Sequence, residues 1–353
     1  MADQLISTAV HRELPGSYVR PESQRPRLDE VVPDAQIPVV DLAGPDVVSR
    51  IGDACATHGF FQVSIYLSFS IHIINRSTTQ LSQGSMVSGG QPWRAPGAHG
   101  RHARRGLRLL SAPAGGEGQA LLRRPGQEDA PLHQLQRAKG DGAQLARLPT
   151  PPLPPARAFT LSWETVSSYC REVRELGFRL YAAISESLGL ARDYAEKALG
   201  EQEQHMAVNF YPECPAPELT YGLPAHTDPN ALTILLMDQQ VAGLQVLNQG
   251  RWIAVNPRPN ALVVNIGDQL QALSNGRYRS VWHRAVVNSD MPRMSVASFL
   301  CPCNDVLIGP AASLVSEESP AVYRDYTYAE YYSKFWSRNL DQEHCLELFR
   351  TTS

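Results

Sequence analysis

The chain has 353 residues, enough for one large domain or two, and its 43% hydrophobic and 19% charged residues are ordinary for a soluble enzyme. A net charge of −3 gives no sign of a nucleic-acid-binding protein, and we expect the six scattered cysteines to be reduced thiols of a cytoplasmic protein. The N-terminus has no basic stretch followed by an apolar one, and no run of about 18 apolar residues occurs, so neither a signal peptide nor a membrane span is expected.

The first predicted elements form a strand–helix–strand unit near the N-terminus. Residues 37–41 and 60–63 are each apolar enough for a strand. Between them, Asp46 is placed to cap a helix and Gly59 to end it. The apolar side chains of that helix recur at helical spacing: Val47, Ile51, Ala54 and Cys55.

The next block, residues 64–160, differs from the rest of the chain in composition. Residues 88–157 contain no Val, Ile, Phe, Tyr or Cys, and their ten Arg and one Lys against four acidic residues give +7, which leaves −10 for the rest. Such a stretch cannot bury enough apolar surface to offset its ordering entropy, so we expect it to be disordered. One interpretation is a basic insert that binds RNA or a protein partner.

A second interpretation, which we favour, is that this block is coding sequence read out of frame. Residues 91–93 can be coded CAA CCA TGG, and a shift of one base gives Asn-His-Gly. At the same offset, residues 132–137 give Ser-Thr-Asn-Phe-Asn-Val and residues 142–148 give Val-His-Asn-Trp-Arg-Asp. Residues 63–64 can be coded GTG AGT, which resembles a 5′ splice donor. Our hypothesis is a retained intron from residue 64 to about 90, then a frame-shifted exon to about 160.

The remainder of the chain is predicted to be a helix followed by many short strands. The clearest helix covers residues 165–190, where apolar side chains step by three and four until Gly189. Strands are predicted at residues 208–211, 232–237, 244–247, 252–255, 261–266 and 296–300. Residues 248–250 supply a hairpin turn, and the tail after Tyr328 is expected to be helical. This pattern predicts a mainly β fold, a barrel or sandwich, with flanking helices.

Three residues form a candidate metal-ligand set. His226 and Asp228 are two apart, so on one extended strand they would share a face, and His283 would come from another strand. Two imidazoles and one carboxylate are the ligands of non-haem Fe(II) sites that leave coordination positions open. A lone histidine is usually structural, so the prediction depends on all three residues occurring together with the residues that follow them.

Arg293 and Ser295 follow on one predicted strand face, and they suit a carboxylate. The planar guanidinium can make a two-pronged contact with it, and the hydroxyl adds a donor. Asn209 and Tyr211 also alternate onto one face, and each is either a satisfied buried polar residue or a further contact to the same co-substrate. A hydrolytic zinc site is the alternative, but it leaves Arg293 and Ser295 without a role.

Several motifs closely resemble those of the plant 2-oxoglutarate- and Fe(II)-dependent dioxygenases. They lie at residues 209–215 (NFYPECP), 223–228 (LPAHTD), 243–246 (GLQV), 265–268 (NIGD), 280–284 (SVWHR) and 293–295 (RMS). The resemblance covers residues 35–63 and 165–345. Within the family, the chain is most similar to the salicylate hydroxylase and flavanone/flavone oxygenase group.

The resemblance implies a double-stranded β-helix, or jelly-roll, core with a disrupted N-terminal helical part. The implied iron ligands are His226, Asp228 and His283. The implied 2-oxoglutarate contacts are Arg293, Ser295, Tyr211 and Asn209. A monomeric enzyme of this kind would use Fe(II), 2-oxoglutarate and O₂, helped by ascorbate, to hydroxylate or desaturate a small aromatic plant metabolite that is salicylate- or flavonoid-like. Neither a membrane nor a nucleic-acid partner is expected.

The departure from the family lies after residue 63. The family continues Phe-Phe-Gln-Val with Asn-His-Gly, whereas Val63 is followed here by Ser64, so one wall of the substrate pocket is expected to be missing. The chain would then consist of an N-terminal dioxygenase part at 1–63, the anomalous segment at 64–160 and the catalytic domain at 161–353. The alternative to an active dioxygenase is an inactive product of a mis-spliced transcript or wrong gene model that keeps the iron site.

Overall fold

The computed structural model describes residues 13–32, 36–64, 109–111, 118–122, 163–338 and 343–351. The α-helices in these ranges are α1 (Val47–Thr57), α2 (Trp163–Ser187), α3 (Tyr194–Ala198), α4 (Asp268–Leu273) and α5 (Tyr328–Trp336). The strands are β1 (Val31–Val32), β2 (Val39–Asp41), β3 (Phe60–Ser64), β4 (Leu109–Ser111), β5 (Gly118–Leu122), β6 (Glu203–Tyr211), β7 (Leu223–His226), β8 (Leu232–Met237), β9 (Leu244–Asn248), β10 (Arg251–Ala254), β11 (Ala261–Ile266), β12 (His283–Ala285), β13 (Arg293–Cys301), β14 (Leu307–Ile308) and β15 (Tyr326–Thr327). Short 3-10 helices lie at Gly16–Tyr18, Glu22–Gln24, Leu28–Glu30, Pro217–Leu219, Ala312–Leu314 and Cys345–Phe349.

Two large sheets form the body of the protein. The major sheet has the strand order β2-β3-β11-β8-β13-β6-β5-β4, and the minor sheet has the order β1-β10-β9-β12-β7. Strand pairs are antiparallel, except for the parallel pairs β2–β3 and β1–β10. A separate small sheet pairs β14 with β15. This architecture confirms the predicted mainly β class with flanking helices.

The major sheet is the middle of three layers. One apolar cluster packs α1 and α2 against one face of the sheet, with Ile51 and Ile184 facing Val264 and Leu300. A second apolar cluster lies between the two sheets and joins Phe60 and Val263 to Leu244 and Val246. Central strands are therefore buried on both faces, which explains why β11 is a nearly continuous apolar run.

The hairpin between β9 and β10 confirms the turn predicted at residues 248–250. Asn248 pairs directly with Arg251, so the connection has two residues. Gln249 (φ 50°) and Gly250 (φ 77°) both lie in the left-handed region. Two consecutive positive φ values define the type I′ turn, whose twist matches that of the flanking strands.

The predicted helical cap at Asp46 is wrong, although α1 does begin at the next residue. Asp46 has φ 59° and ψ 22°, and its side chain makes no capping hydrogen bond. An N-cap residue usually has an extended backbone conformation, which lets its side chain accept a hydrogen bond from the first turn of the helix. The left-handed conformation of Asp46 does not place its carboxylate near those N–H groups. The predicted helix at residues 165–190 is confirmed as α2, and the helical tail is confirmed as α5.

Part of the anomalous block pairs with the major sheet. The backbones of β4 and β5, three and five residues long, extend the sheet beyond β6, which the composition did not predict. The other residues from 65 to 162 lie outside the described residues, as does the expected disruption of the N-terminal helical part. Disorder and a frame shift in the block stay predictions. Among the described helices, none combines the length and apolar character that a bilayer-spanning helix requires.

Candidate active site

The two candidate histidine ligands lie opposite each other on neighbouring strands of the minor sheet. His226 is the last residue of β7, His283 is the first residue of β12, and the two are partners in the antiparallel register. Their ring centroids are 4.2 Å apart. The predicted origin of His283 on a separate strand is therefore confirmed.

Asp228 reaches the same point from a loop rather than from a strand. β7 ends at His226, so the expectation that His226 and Asp228 share a face of one strand is wrong. Its Oδ1 atom nevertheless lies 3.7 Å from Nε2 of His226 and 3.6 Å from Nε2 of His283. One donor atom from each of the three residues falls within 4.8 Å of the others, a spacing that suits a shared metal ion.

Hydrogen bonds orient all three donor atoms toward one another. Nδ1 of His226 lies 2.9 Å from the Pro224 carbonyl oxygen and Nδ1 of His283 lies 3.2 Å from that of Val281. Because a carbonyl only accepts, each Nδ1 carries a proton, so Nε2 is the nitrogen that the neutral form of each ring offers to a metal.

The carboxylate of Asp228 is oriented in the same way. Its Oδ2 atom accepts from Thr233 Oγ1 at 2.5 Å and from Asn265 Nδ2 at 2.8 Å. Oδ1 is therefore left to face the histidines. Thr233 and Asn265 are partners in the register of β8 and β11, so the major sheet itself fixes the carboxylate.

The protonation states match those of metal ligands. The pKa of His226 is lowered to about 4, mainly by burial and then by the neighbouring His283, against the opposing effects of Asp228 and the Pro224 carbonyl. Burial raises the pKa of Asp228, but the two histidines and the hydrogen bonds from Thr233 and Asn265 outweigh it, so the pKa lies below its ordinary value. At neutral pH, His226 is thus neutral and Asp228 is ionised, which are the forms that bind a cation.

The four residues predicted to bind 2-oxoglutarate form two cross-strand pairs. Arg293 is the register partner of Tyr211, and Ser295 is the partner of Asn209, between β13 and β6 of the major sheet. All four are buried, with Arg293 only 3% exposed. The four side chains therefore lie together on one face of the sheet. The alternation along each strand had predicted this for each pair separately.

The Arg293 side chain has the environment of an anion-binding group. Its guanidinium carbon lies 5.2 Å from the centre of the Tyr211 ring, and its Nε atom is buried without a hydrogen-bond partner. Burial lowers the pKa of Arg293, partly offset by Tyr211 and Asp238, yet arginine keeps its charge at such sites. A buried guanidinium with an unused N–H group fits a carboxylate, which would satisfy it with charge-assisted hydrogen bonds.

Gly243 provides the space for Arg293. A Cβ atom at this glycine would lie 2.8 Å from Cδ and 3.0 Å from Nε of Arg293, closer than such contacts occur. Gly243 immediately precedes β9 of the minor sheet, and its carbonyl accepts from the Val286 N–H at 2.8 Å. The Arg293 side chain therefore extends from the major sheet toward β9 of the minor sheet, which pairs with the strand that carries His283.

A Gly243→Ala variant should bind 2-oxoglutarate less well because the new methyl group would displace the guanidinium. We expect the 2-oxoglutarate concentration for half-maximal succinate formation to rise about tenfold, corresponding to about 1.4 kcal/mol of binding free energy. A Gly16→Ala variant serves as the control, since nothing lies within 4 Å of a Cβ atom there and its backbone is not in the left-handed region. An unchanged co-substrate requirement in Gly243→Ala would contradict this role for the glycine.

Sequence reasoning missed the residues that hold the ligands in place. Thr233 and Asn265 are polar residues inside buried strands, and Asp268 is a fully buried carboxylate in α4. A polar residue in an otherwise apolar strand was the available signal, because such a group must find a partner when it is buried. The partner of Asn265, Asp228, lies 37 residues away in the sequence, whereas Thr233 lies only 5 residues from it.

Comparisons with known proteins identify the family of the chain. The family model described as 2OG-Fe(II) oxygenase superfamily matches residues 202–302, which include all seven candidate site residues. The chain is 58% identical to "Flavanone 3-dioxygenase 2" of Oryza sativa subsp. japonica, over 99% of this chain and 97% of that protein. It is 48% identical to "Protein DOWNY MILDEW RESISTANCE 6" of Arabidopsis thaliana, over 99% of both chains.

A solved structure shares the whole architecture. The crystal structure of JOX2 in complex with 2OG, Fe and JA superposes with a TM-score of 0.70 at 31% identity, covering 98% of this chain and 96% of that one. This similarity confirms the predicted jelly-roll core. The cofactors expected from the sequence are also confirmed, because the family is defined by 2-oxoglutarate and Fe(II). The chain belongs to the 2OG-Fe(II) oxygenase superfamily and is a dioxygenase that uses Fe(II), 2-oxoglutarate and O₂.

Proposed function

We propose that this dioxygenase hydroxylates or desaturates a small aromatic plant metabolite that is salicylate- or flavonoid-like. The observation that carries the proposal is that two imidazole nitrogens and one carboxylate oxygen converge on one point. The buried Arg293 side chain extends from the major sheet to Gly243 at the edge of β9 in the minor sheet, the sheet that carries both histidines. The flavanone in the name of the 58% identical rice protein supports a flavonoid-like substrate. The resemblance of the sequence to the salicylate hydroxylase and flavanone/flavone oxygenase group supports a smaller aromatic acid as the other candidate.

In this proposal, His226, Asp228 and His283 hold the iron. When bound, Fe(II) with 2-oxoglutarate and O₂ supplies the oxidising chemistry, and 2-oxoglutarate leaves as succinate and CO₂. The protein supplies two imidazole donors fixed by backbone carbonyls and one carboxylate donor fixed by Thr233 and Asn265. A preorganised ligand set of this kind needs no rearrangement before the cation binds.

Arg293 and Ser295 would hold the carboxylate of 2-oxoglutarate that is remote from the metal. The guanidinium supplies charge and two-pronged geometry, and the Ser295 hydroxyl adds a donor from the same strand face. Tyr211 and Asn209 would flank the co-substrate from β6, where the Asn209 Oδ1 atom is buried without a hydrogen-bond partner. Fixing both ends of the co-substrate sets the direction from which the aromatic substrate approaches.

The proposal is tested by succinate formation with the purified full-length chain. We expect formation that requires both Fe(II) and 2-oxoglutarate and that rises when a flavanone or salicylate is added. Removal of the metal by a chelator should abolish it, and readdition of Fe(II) should restore it. If succinate forms but no aromatic compound of either type increases it, the substrate class is wrong.

We also propose that residues 64–160 arise from a retained intron followed by a frame-shifted exon. The absence of Val, Ile, Phe, Tyr and Cys from residues 88–157 supports this, as do the protein-like strings at a single offset. Sequencing the transcript across codons 60–165 tests it, and a shorter in-frame spliced form is the expected result. A spliced message that encodes the block as written, without such a form, would exclude the proposal.

A further inference from the structure

We propose that Asp268 is a positioning residue that connects the C-terminal segment of the chain to both parts of the candidate iron site. This inference rests on the proposed function, since it assumes that His226, Asp228 and His283 bind Fe(II). The network of contacts around Asp268 lies outside the groups that would touch iron, 2-oxoglutarate or substrate.

The first part of the network holds the backbone of the loop that carries Asp228. The N–H of Asp268 donates to the carbonyl oxygen of Asp228 itself at 2.9 Å. Gly267 donates to Ala231 O at 2.9 Å, and Gln269 Nε2 donates to Pro229 O at 2.7 Å. The start of α4 therefore binds successive carbonyl groups of the loop.

This approach is close enough to require a glycine. A Cβ atom at Gly267 would lie 2.0 Å from the carbonyl oxygen of Asn230, so any other residue would push the loop away. The loop and the start of α4 thus behave as one packed unit, and a shift of Asp268 would be passed on to Asp228.

The second part of the network is the Asp268 side chain, which is 0% exposed. Its Oδ2 atom accepts from Thr227 Oγ1 at 3.2 Å, and Thr227 stands between the two ligands His226 and Asp228. The same oxygen accepts from the hydroxyl of Tyr331 in α5. A buried carboxylate is stable only when such donors satisfy it, so its position depends on both partners.

The third part of the network is formed by the side chain of His344, near the C-terminus. Nε2 of His344 lies 3.4 Å from Oδ1 of Asp268 and 3.3 Å from the carbonyl oxygen of Ser280, three residues before His283. The His344 ring also stands edge-on to Trp282 at 6.2 Å. His344 therefore contacts the segment leading to one histidine ligand and, through Asp268, the loop that carries the carboxylate ligand.

These contacts predict that the C-terminal segment determines how well the ligand set is aligned. Tyr331→Phe would remove one of the two donors to Oδ2 of Asp268, and Asp268→Asn would replace a carboxylate oxygen by an amide NH₂ group. In both variants the loop between His226 and Asp228 would gain freedom. Substitutions of groups that orient metal ligands typically weaken metal binding by about 10- to 100-fold. A merely structural role would lower stability without a specific effect on metal affinity.

The test measures the Fe(II) dissociation constant of full-length variants by anaerobic titration calorimetry, together with thermal unfolding of the metal-free chain. We expect Asp268→Asn and Tyr331→Phe each to raise the dissociation constant by about tenfold or more. Tyr278→Phe is the matched control, because it also removes a buried tyrosine hydroxyl, one that contacts Ser187 at 2.7 Å. Its Fe(II) affinity should equal that of the wild type.

Two results would overturn the inference. One is unchanged Fe(II) affinity in both Asp268→Asn and Tyr331→Phe, and the other is an equal loss of affinity in Tyr278→Phe. If Asp268→Asn does not fold, the milder Tyr331→Phe variant decides alone. Asp228→Ala separates this inference from the proposed function: if it weakens Fe(II) binding while both network variants do not, only the role of Asp268 is wrong.

Discussion

The Asp228→Ala variant is expected to lose Fe(II)-dependent succinate formation and to bind Fe(II) at least about a hundredfold less tightly, which exceeds the usual effect of changing an outer contact. Asp228 contributes the anionic donor of the candidate set, and its Oδ1 atom lies within 3.7 Å of both Nε2 atoms. Without the carboxylate, two neutral imidazoles would remain. The hydrogen bonds from Thr233 and Asn265 would also lose their acceptor.

The matched control for this experiment is Asp305→Ala. Asp305 is exposed and lies between β13 and β14, outside the candidate site. Both variants remove one carboxylate, so a general effect of net charge would appear in both. Wild-type Fe(II) affinity and activity in Asp228→Ala would refute its assignment as a ligand.

The second large effect is expected for Arg293→Lys, which should raise the 2-oxoglutarate concentration needed for half-maximal activity by roughly 10- to 100-fold. An ammonium group keeps the charge but cannot copy a two-pronged contact, and charge-assisted hydrogen bonds contribute about 1.5–3 kcal/mol each. Arg293 is buried against Tyr211, so water cannot easily replace the lost donor. Fe(II) affinity in the absence of 2-oxoglutarate should be unaffected.

Arg258→Lys is the control for that measurement. Arg258 is exposed and makes one long hydrogen bond, 3.4 Å, to Gln36. An Arg293→Lys variant whose 2-oxoglutarate requirement matches that of Arg258→Lys would argue against a carboxylate contact at Arg293.

Three of the strands that were predicted from the sequence share one physical property. β8, β11 and β13 are buried almost throughout, so their sequences are apolar over most of their length and the pattern is clear. The local pattern did not reveal β7 and β12, although the ligand argument placed His226 and His283 on strands. β7 contains a proline and a histidine at half-buried positions, and β12 has only three residues. A short strand of mixed polarity becomes a strand through its neighbours in the sheet, which a local pattern does not contain.

The candidate site was also predicted only in part: its residue types were predicted better than its geometry. The residue types of His226, Asp228, His283, Arg293 and Ser295 predict the chemistry, since few other functions use that combination in that order. Their geometry was predicted less well, because Asp228 reaches the histidines from a loop and not from a shared strand face.

The supporting contacts could not be predicted at all from local sequence. Asn265 lies 37 residues from Asp228, and Asp268 lies 41 residues from Thr227. Contacts of this length depend on the pairing of β8 with β11 and on where α4 begins. Those are properties of the folded chain, because strand pairing brings these buried polar groups to partners that are remote in sequence.

X-ray absorption spectroscopy of the Fe(II)-loaded, full-length chain tests the central claim most directly, because it reports the atoms around the metal. The account predicts imidazole scattering from two histidines per iron in the wild type, reduced to one in His283→Ala. It also predicts that 2-oxoglutarate changes the spectrum of the wild type. Iron without histidine scattering, or the same two-histidine spectrum in His283→Ala, would contradict the assignment of His226, Asp228 and His283.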